Sequence, residues 1–183
     1  MSRSVNERLY KLTLSAMFLA LALVLPFLTG QIQPLSKKLC PMHIPILLCG
    51  FFCGPWHACL IGLIAPMLRF LMFGMPPIMP TGLAMSFELA SYGFLAGWLY
   101  TVLPKKKTSI YIALLVAMFG GRIIWGIVSL LLYGTMESAF TWQLFLTGAF
   151  TDAIPGIILQ IVLVPVLVIA INRILRDSSG NRS

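Results

Sequence analysis

Long apolar runs, broken by short polar or proline-rich stretches, dominate the chain. The first, Leu9 to Leu28, has the roughly 20 residues that a membrane-spanning helix needs. Thr29-Gly30-Gln31 follows it in place of a small-residue cleavage pattern, so this segment is expected to be retained as a first spanning helix. A polar, proline-containing loop is expected from Thr29 to Pro41. The next apolar region, Met42 to Phe73, is interrupted at Gly54-Pro55, which predicts a tight turn between a second and a third helix. The second helix is then short, about 12 residues or ~18 Å, and is expected to tilt, to extend into the loop or to be re-entrant. Gly74-Met75-Pro76-Pro77-Ile78-Met79-Pro80 cannot form regular helix and predicts a stiff outer loop. A fourth helix is expected from Thr81 to Leu103, closed by Pro104, and a fifth from Ser109 to Tyr133. After a loop containing Glu137, a sixth runs from Thr141 to Ile174, kinked at Pro155 and Pro165. Residues 1–176 then form a single transmembrane domain, with 177–183 as a disordered cytoplasmic tail.

Composition agrees with this pattern. The 183 residues are 59% hydrophobic and 10% charged, with a mean hydropathy of +0.95, which points to an all-α integral membrane protein. The net charge of +8 does not point to nucleic acid, because the basic residues cluster at segment ends. Arg3, Arg8 and Lys11 precede the first segment, Lys105, Lys106 and Lys107 follow the fourth, and Arg173, Arg176 and Arg182 follow the last. Placing these on the cytoplasmic side leaves only Lys37 and Lys38 outside, which predicts six crossings with both termini cytoplasmic. Cys40, Cys49, Cys53 and Cys59 lie within twenty residues, three of them in apolar helix, and are expected to serve structural packing. Neither a metal nor a cofactor is expected.

Four ionisable residues fall inside the spanning segments: Arg69, Glu88, Arg122 and Asp152. Each costs roughly 2.5–3.5 kcal/mol at the bilayer centre, so they are expected to act against one another or against a bound solute. Counting from predicted outer ends places Arg69 and Glu88 roughly 6 and 10 Å down, and Arg122 and Asp152 roughly 16 Å down. Arg69 with Glu88, and Arg122 with Asp152, are therefore the expected pairs. Helical spacing sets Tyr92 beside Glu88 and Trp125 beside Arg122. These six residues are the candidate solute contacts, and His43, near the outer end of the second helix, is a seventh. Structural ion pairs without a ligand are the alternative. The four charges sum to zero, which suits a neutral or zwitterionic solute unless one arginine is free.

Ala16 and Ala20 lie one turn apart on the first helix, and small residues at that spacing permit close helix approach in a membrane. The same spacing at Gly50 and Gly54 and at Gly93 and Gly97 is expected to serve packing within the chain. For the alanines, an external partner is the alternative. The chain lacks a glycine-rich phosphate loop of the P-loop kind and shows no clear inverted repeat.

With Ala16-Met17-Phe18-Leu19-Ala20, a long first outer loop and six helices in under 200 residues, the chain resembles the substrate-binding S components of energy-coupling factor (ECF) vitamin transporters. Met42-His43-Ile44-Pro45 through Gly54-Pro55, Arg69, Phe73-Gly74-Met75-Pro76-Pro77 and Phe87-Glu88-Leu89-Ala90 are similar to the branch that binds folate, pantothenate and hydroxymethylpyrimidine or pyridoxine. The resemblance implies a high-affinity vitamin-binding subunit in a bacterial plasma membrane, with pantothenate favoured. It implies docking, through Ala16 and Ala20, on a transmembrane coupling subunit joined to two cytoplasmic ATPases. It also implies that the chain itself is not an enzyme. A proton-coupled carrier, a scaffold without solute and an intramembrane enzyme are the competing classes. The last lacks a Ser, His and Asp set at a common depth.

Overall fold

The computed structural model describes residues 2–28, 41–104, 106–135 and 154–180. Six α-helices lie among them: α1 (Ser2–Leu28), α2 (His43–Cys53), α3 (Pro55–Phe73), α4 (Leu83–Val102), α5 (Lys107–Thr135) and α6 (Ile154–Gly180). The expected loops 29–40 and 136–140, and the first turns of the sixth helix before Ile154, lie outside the described residues. Helix α6 continues to Gly180, through part of the stretch 177–183 that the sequence assigns to a tail.

Glycine and proline set the breaks between the first helices. Gly54 takes φ 97° and ψ 174° between α2 and α3, a backbone conformation open to few other residues, and Pro55 opens α3 at the position where its missing N–H costs nothing. Gly74 closes α3 in the left-handed conformation, its N–H donating to the Phe70 carbonyl at 2.7 Å. The proline-rich stretch that follows is not a plain loop throughout. Ile78–Gly82 makes one wide π-type turn, with Met79 extended inside it, before α4 begins.

Four helices carry segments long and apolar enough to cross a membrane: Val5–Phe27, Pro55–Phe73, Lys107–Gly134 and Ile154–Ile174. The other two are sheltered by protein. Helix α2, 11 residues long, is buried almost from end to end, and it packs against α1, α3, α4 and α6. Helix α4 carries Ser86, Glu88, Tyr92, Gly93 and Gly97 on buried positions and lies between α2, α3 and α5. Polar residues on such a helix face protein rather than lipid.

Glycines bring α4 into backbone contact with each of those neighbours, and the contacts fix the register. A Cβ on Gly93 would stand 2.7–2.8 Å from Ala58, one on Gly62 2.6 Å from the Leu89 backbone, and one on Gly97 2.7 Å from Pro55 N. Helices α3 and α4 are therefore antiparallel, with residue 58 opposite 93 and 62 opposite 89. A Cβ on Gly50 would stand 2.7 Å from Gly93 O and 3.1 Å from Gly97 N, so α2 runs parallel to α4 and residue 43 falls level with 88. On the far side, a Cβ on Gly121 would stand 3.2 Å from Glu88 O and from the Tyr92 ring, which places residue 122 at the same level. The glycine pairs thus serve packing within the chain, except that Gly54 turns the chain instead.

Three further contacts complete the levels. Cys49 Sγ lies 3.8 Å from Ser15 Oγ and Arg69 Nη1 donates to Leu23 O at 2.9 Å, so α1 climbs past α2 toward the end where α3 finishes and α4 begins, here the upper end. Asn172 Nδ2 donates to Tyr100 Oη at 3.4 Å near the lower end. Gln160, Val164 and Val168 are all buried, which requires α6 to rise from Asn172 alongside the bundle rather than away from it. Arg8, Lys11, Lys106, Lys107 and Arg173 consequently gather at the lower end.

Close approach of this kind leaves no room for a methyl group. Gly93→Ala should destabilise the protein by about 1–3 kcal/mol through overpacking, whereas Gly134→Ala, where none of the described residues lies within 4 Å, should not. Thermal unfolding of the two variants in detergent checks this, and equal melting temperatures would remove the role assigned to the Gly93 contact.

Candidate functional site

The register places His43, Glu88 and Arg122 at one level on three neighbouring helices, and their side chains meet. Arg122 Nη1 lies 3.0 Å from Glu88 Oε1, and His43 Nε2 lies 3.6 Å from the same oxygen. The Tyr92 ring, one turn below Glu88, stands edge-on to the His43 ring at 5.1 Å. All four residues are buried, Glu88 to 2% exposure and Arg122 to 8%. Arg122 and Glu88 balance each other's charge, which is the condition under which ionised groups are tolerated away from water.

Arg69 is not part of the layer, contrary to the pairing with Glu88 expected from depth. The register sets residue 69 opposite residue 82, six positions or about 9 Å above Glu88. There the guanidinium donates to Leu23 O and lies 5.3 Å from the Phe27 ring centroid and 5.7 Å from that of Phe73. A carbonyl oxygen has two lone pairs, so Leu23 O can accept from Arg69 beside any helical bond it makes. Two phenyl faces supply cation–π attraction where a carboxylate was expected. Among the described residues no carboxylate pairs with Arg69.

The counting from predicted loop ends failed because α3 ends higher than α4 begins. Arg122 lies against Glu88; the expected pairing of Arg122 with Asp152 falls outside the described residues. Trp125 is half-buried one turn above Arg122, on the face that also carries buried Gly126 and Ser129. Ala16 and Ala20 are exposed on α1, while Ala22 is fully buried; the two alanines are not used for packing among the described helices.

Two residues of the site carry no charge and were passed over in the sequence. Gly121 lets α5 approach α4 closely enough for Arg122 to reach Glu88, and the Gly120-Gly121 pair inside an apolar helix was its only signal. Gln160 is 2% exposed on α6. Counting twelve residues up from the Asn172–Tyr100 hydrogen bond on two helices that run the same way brings Gln160 level with Glu88. Its Oε1 has no hydrogen-bond partner among the described residues, and neither have Nδ1 and Nε2 of His43.

The profile of the family described as ECF transporter, substrate-specific component, matches residues 10–168. The match spans most of the chain, which belongs to that family: it is a substrate-binding membrane subunit of an ECF transporter. No curated protein and no solved structure matches it.

The layer makes a stability forecast. Arg122→Met strands a buried carboxylate and should cost about 3–5 kcal/mol, whereas the double variant Glu88→Gln, Arg122→Met should recover most of the loss. Additive losses in a double-mutant cycle read by thermal unfolding would mean that the two side chains are not coupled.

Proposed function

We propose that this chain is the high-affinity binding subunit of an ECF-type vitamin importer, with its solute held at the layer of His43, Glu88, Tyr92 and Arg122. Trp125 and Asp152 are further contacts on this reading, and Arg69 lies above the layer. The observation that carries it is a buried, charge-balanced layer with unsatisfied polar atoms inside a chain of this family. Ion pairs that only locked the helices would leave no such atoms, because a buried polar group without a partner costs stability.

Among vitamins we favour pantothenate. Its carboxylate suits an arginine fork, and Arg122 is already paired with Glu88, which leaves Arg69 as the residue to receive the acid. The hydroxyl and amide groups at the other end of the molecule then reach the neutral layer about 9 Å below.

The gathering of basic residues at the lower end supports a cell-membrane protein with cytoplasmic termini. The exposed Ala16 and Ala20 support docking of α1 on a transmembrane coupling subunit, since small residues allow close approach. ATP hydrolysis belongs to two ATPases bound to that subunit, and this chain is not itself an enzyme.

Calorimetry of the purified chain against a panel of B vitamins tests the site. One vitamin should bind tightly, and Arg122→Ala should weaken that binding by about 2–5 kcal/mol. Absence of binding to any vitamin would return the layer to a structural role. The docking surface is tested separately: Ala16→Leu with Ala20→Leu should leave vitamin binding unchanged and abolish uptake in cells that express the energising module. Normal uptake would remove the alanine face as the contact.

A further inference from the structure

Gln160 combines three properties that do not occur together by packing alone. It is almost completely buried, its Oε1 has no hydrogen-bond partner among the described residues, and its level matches that of the charged layer. Helix α6 packs against α2 and α5, the helices that supply His43 and Arg122. Gly156, Val164 and Val168, one or two turns away on the same side of α6, are buried as well, so this side faces the bundle. A membrane interior offers such an oxygen no water, and an apolar side chain of similar shape would fill the place at lower cost.

His43 shows the same deficit on α2, where both ring nitrogens are buried without hydrogen-bond partners among the described residues. Two unsatisfied polar side chains at one level, on helices that touch, mark a place where a third group completes the hydrogen bonding. That group has a defined chemistry. Among the described residues Glu88 and Arg122 already balance each other, so an added charge at this level would find no counterion among them. Gln160 Oε1 is an acceptor and wants a donor.

We propose that Gln160 is a specificity-determining residue of the solute site, whose Oε1 accepts a hydrogen bond from a hydroxyl or N–H on an uncharged part of the solute. The His43 ring supplies the second polar contact from α2. This rests on the reading of the chain as a vitamin-binding subunit and adds to it which end of the solute enters the layer. A solute that carries an acid keeps it outside this level.

Gln160→Met keeps the length of the side chain and removes the acceptor. Wild type and variant, both as the full chain in lipid nanodiscs, are titrated calorimetrically with pantothenate, pyridoxine, riboflavin, nicotinamide, biotin and thiamine. Melting temperatures are recorded without solute. The expected result is one vitamin bound by the wild type and bound about tenfold more weakly by the variant, with the variant's melting temperature unchanged or higher, because an unsatisfied buried acceptor has gone. Equal affinities would overturn the role of Gln160 while the binding function stands. A lower melting temperature without solute would make Gln160 a packing residue and overturn it too. No binding of any vitamin to the wild type would remove both the function and the inference.

Discussion

The close approach of α4 to its three neighbours is the constraint on which the rest of the structure depends. Gly93 and Gly97 on α4, with Gly50 and Gly62 opposite, bring backbones within a distance that no side chain would permit, and Gly121 brings α5 almost as near. In a bilayer there is little hydrophobic drive to hold helices together, so van der Waals contact between backbones carries much of the association. Contact of this kind also fixes register, because sliding by one residue would set a side chain against a backbone. The meeting of His43, Glu88 and Arg122 follows from that register: each is the residue that the glycine contacts bring to one level.

The same constraint explains how the polar face of α4 is kept at membrane depth. Its buried face holds Ser86, Glu88 and Tyr92, and the surrounding helices carry the lipid-facing surface, with Leu63, Ile64, Leu71, Phe119 and Ile123 exposed. Helix α2, too short to cross a bilayer, is enclosed in the same way. Enclosure of α2 and of the buried face of α4 by the other helices is what allows ionised residues here without exposing them to hydrocarbon.

Much of the fold was legible in the sequence because its punctuation is strong. Gly54-Pro55, Gly74 and Pro104 fall where the apolar runs break, and the boundaries of α2, α3 and α4 lie within a residue or two of where those residues put them. The branch of the family was not legible to the same standard, and the family profile identifies none. The pairing of Arg69 with Glu88 was misjudged for a specific reason. Depth was counted from loop ends, as though every helix began at one plane, but the π-type turn at Ile78–Gly82 starts α4 below the top of α3. Only contacts such as that between Ala58 and Gly93 reveal the offset, and they are tertiary. Gln160 was missed because an amide inside an apolar helix looks ordinary until its burial and its lack of a partner are known.

The two arginines show two solutions to one problem, and the difference bears on what the protein can hold. Arg122 is neutralised by Glu88 at 3.0 Å. Arg69 is held by a carbonyl and two aromatic rings, interactions that stabilise a cation without cancelling its charge. Among the described residues the interior is therefore electrostatically uneven along its axis: Glu88 and Arg122 balance each other at one level, and Arg69 has no carboxylate partner about 9 Å above it. A compact zwitterion would meet only one of these levels. An elongated solute with hydrogen-bonding groups at one end and an acid at the other would meet both in the order in which they occur. On the proposed function, the carbonyl of Leu23 and the rings of Phe27 and Phe73 thus matter beyond packing, because replacing them with a carboxylate would steady Arg69 equally well and erase the asymmetry.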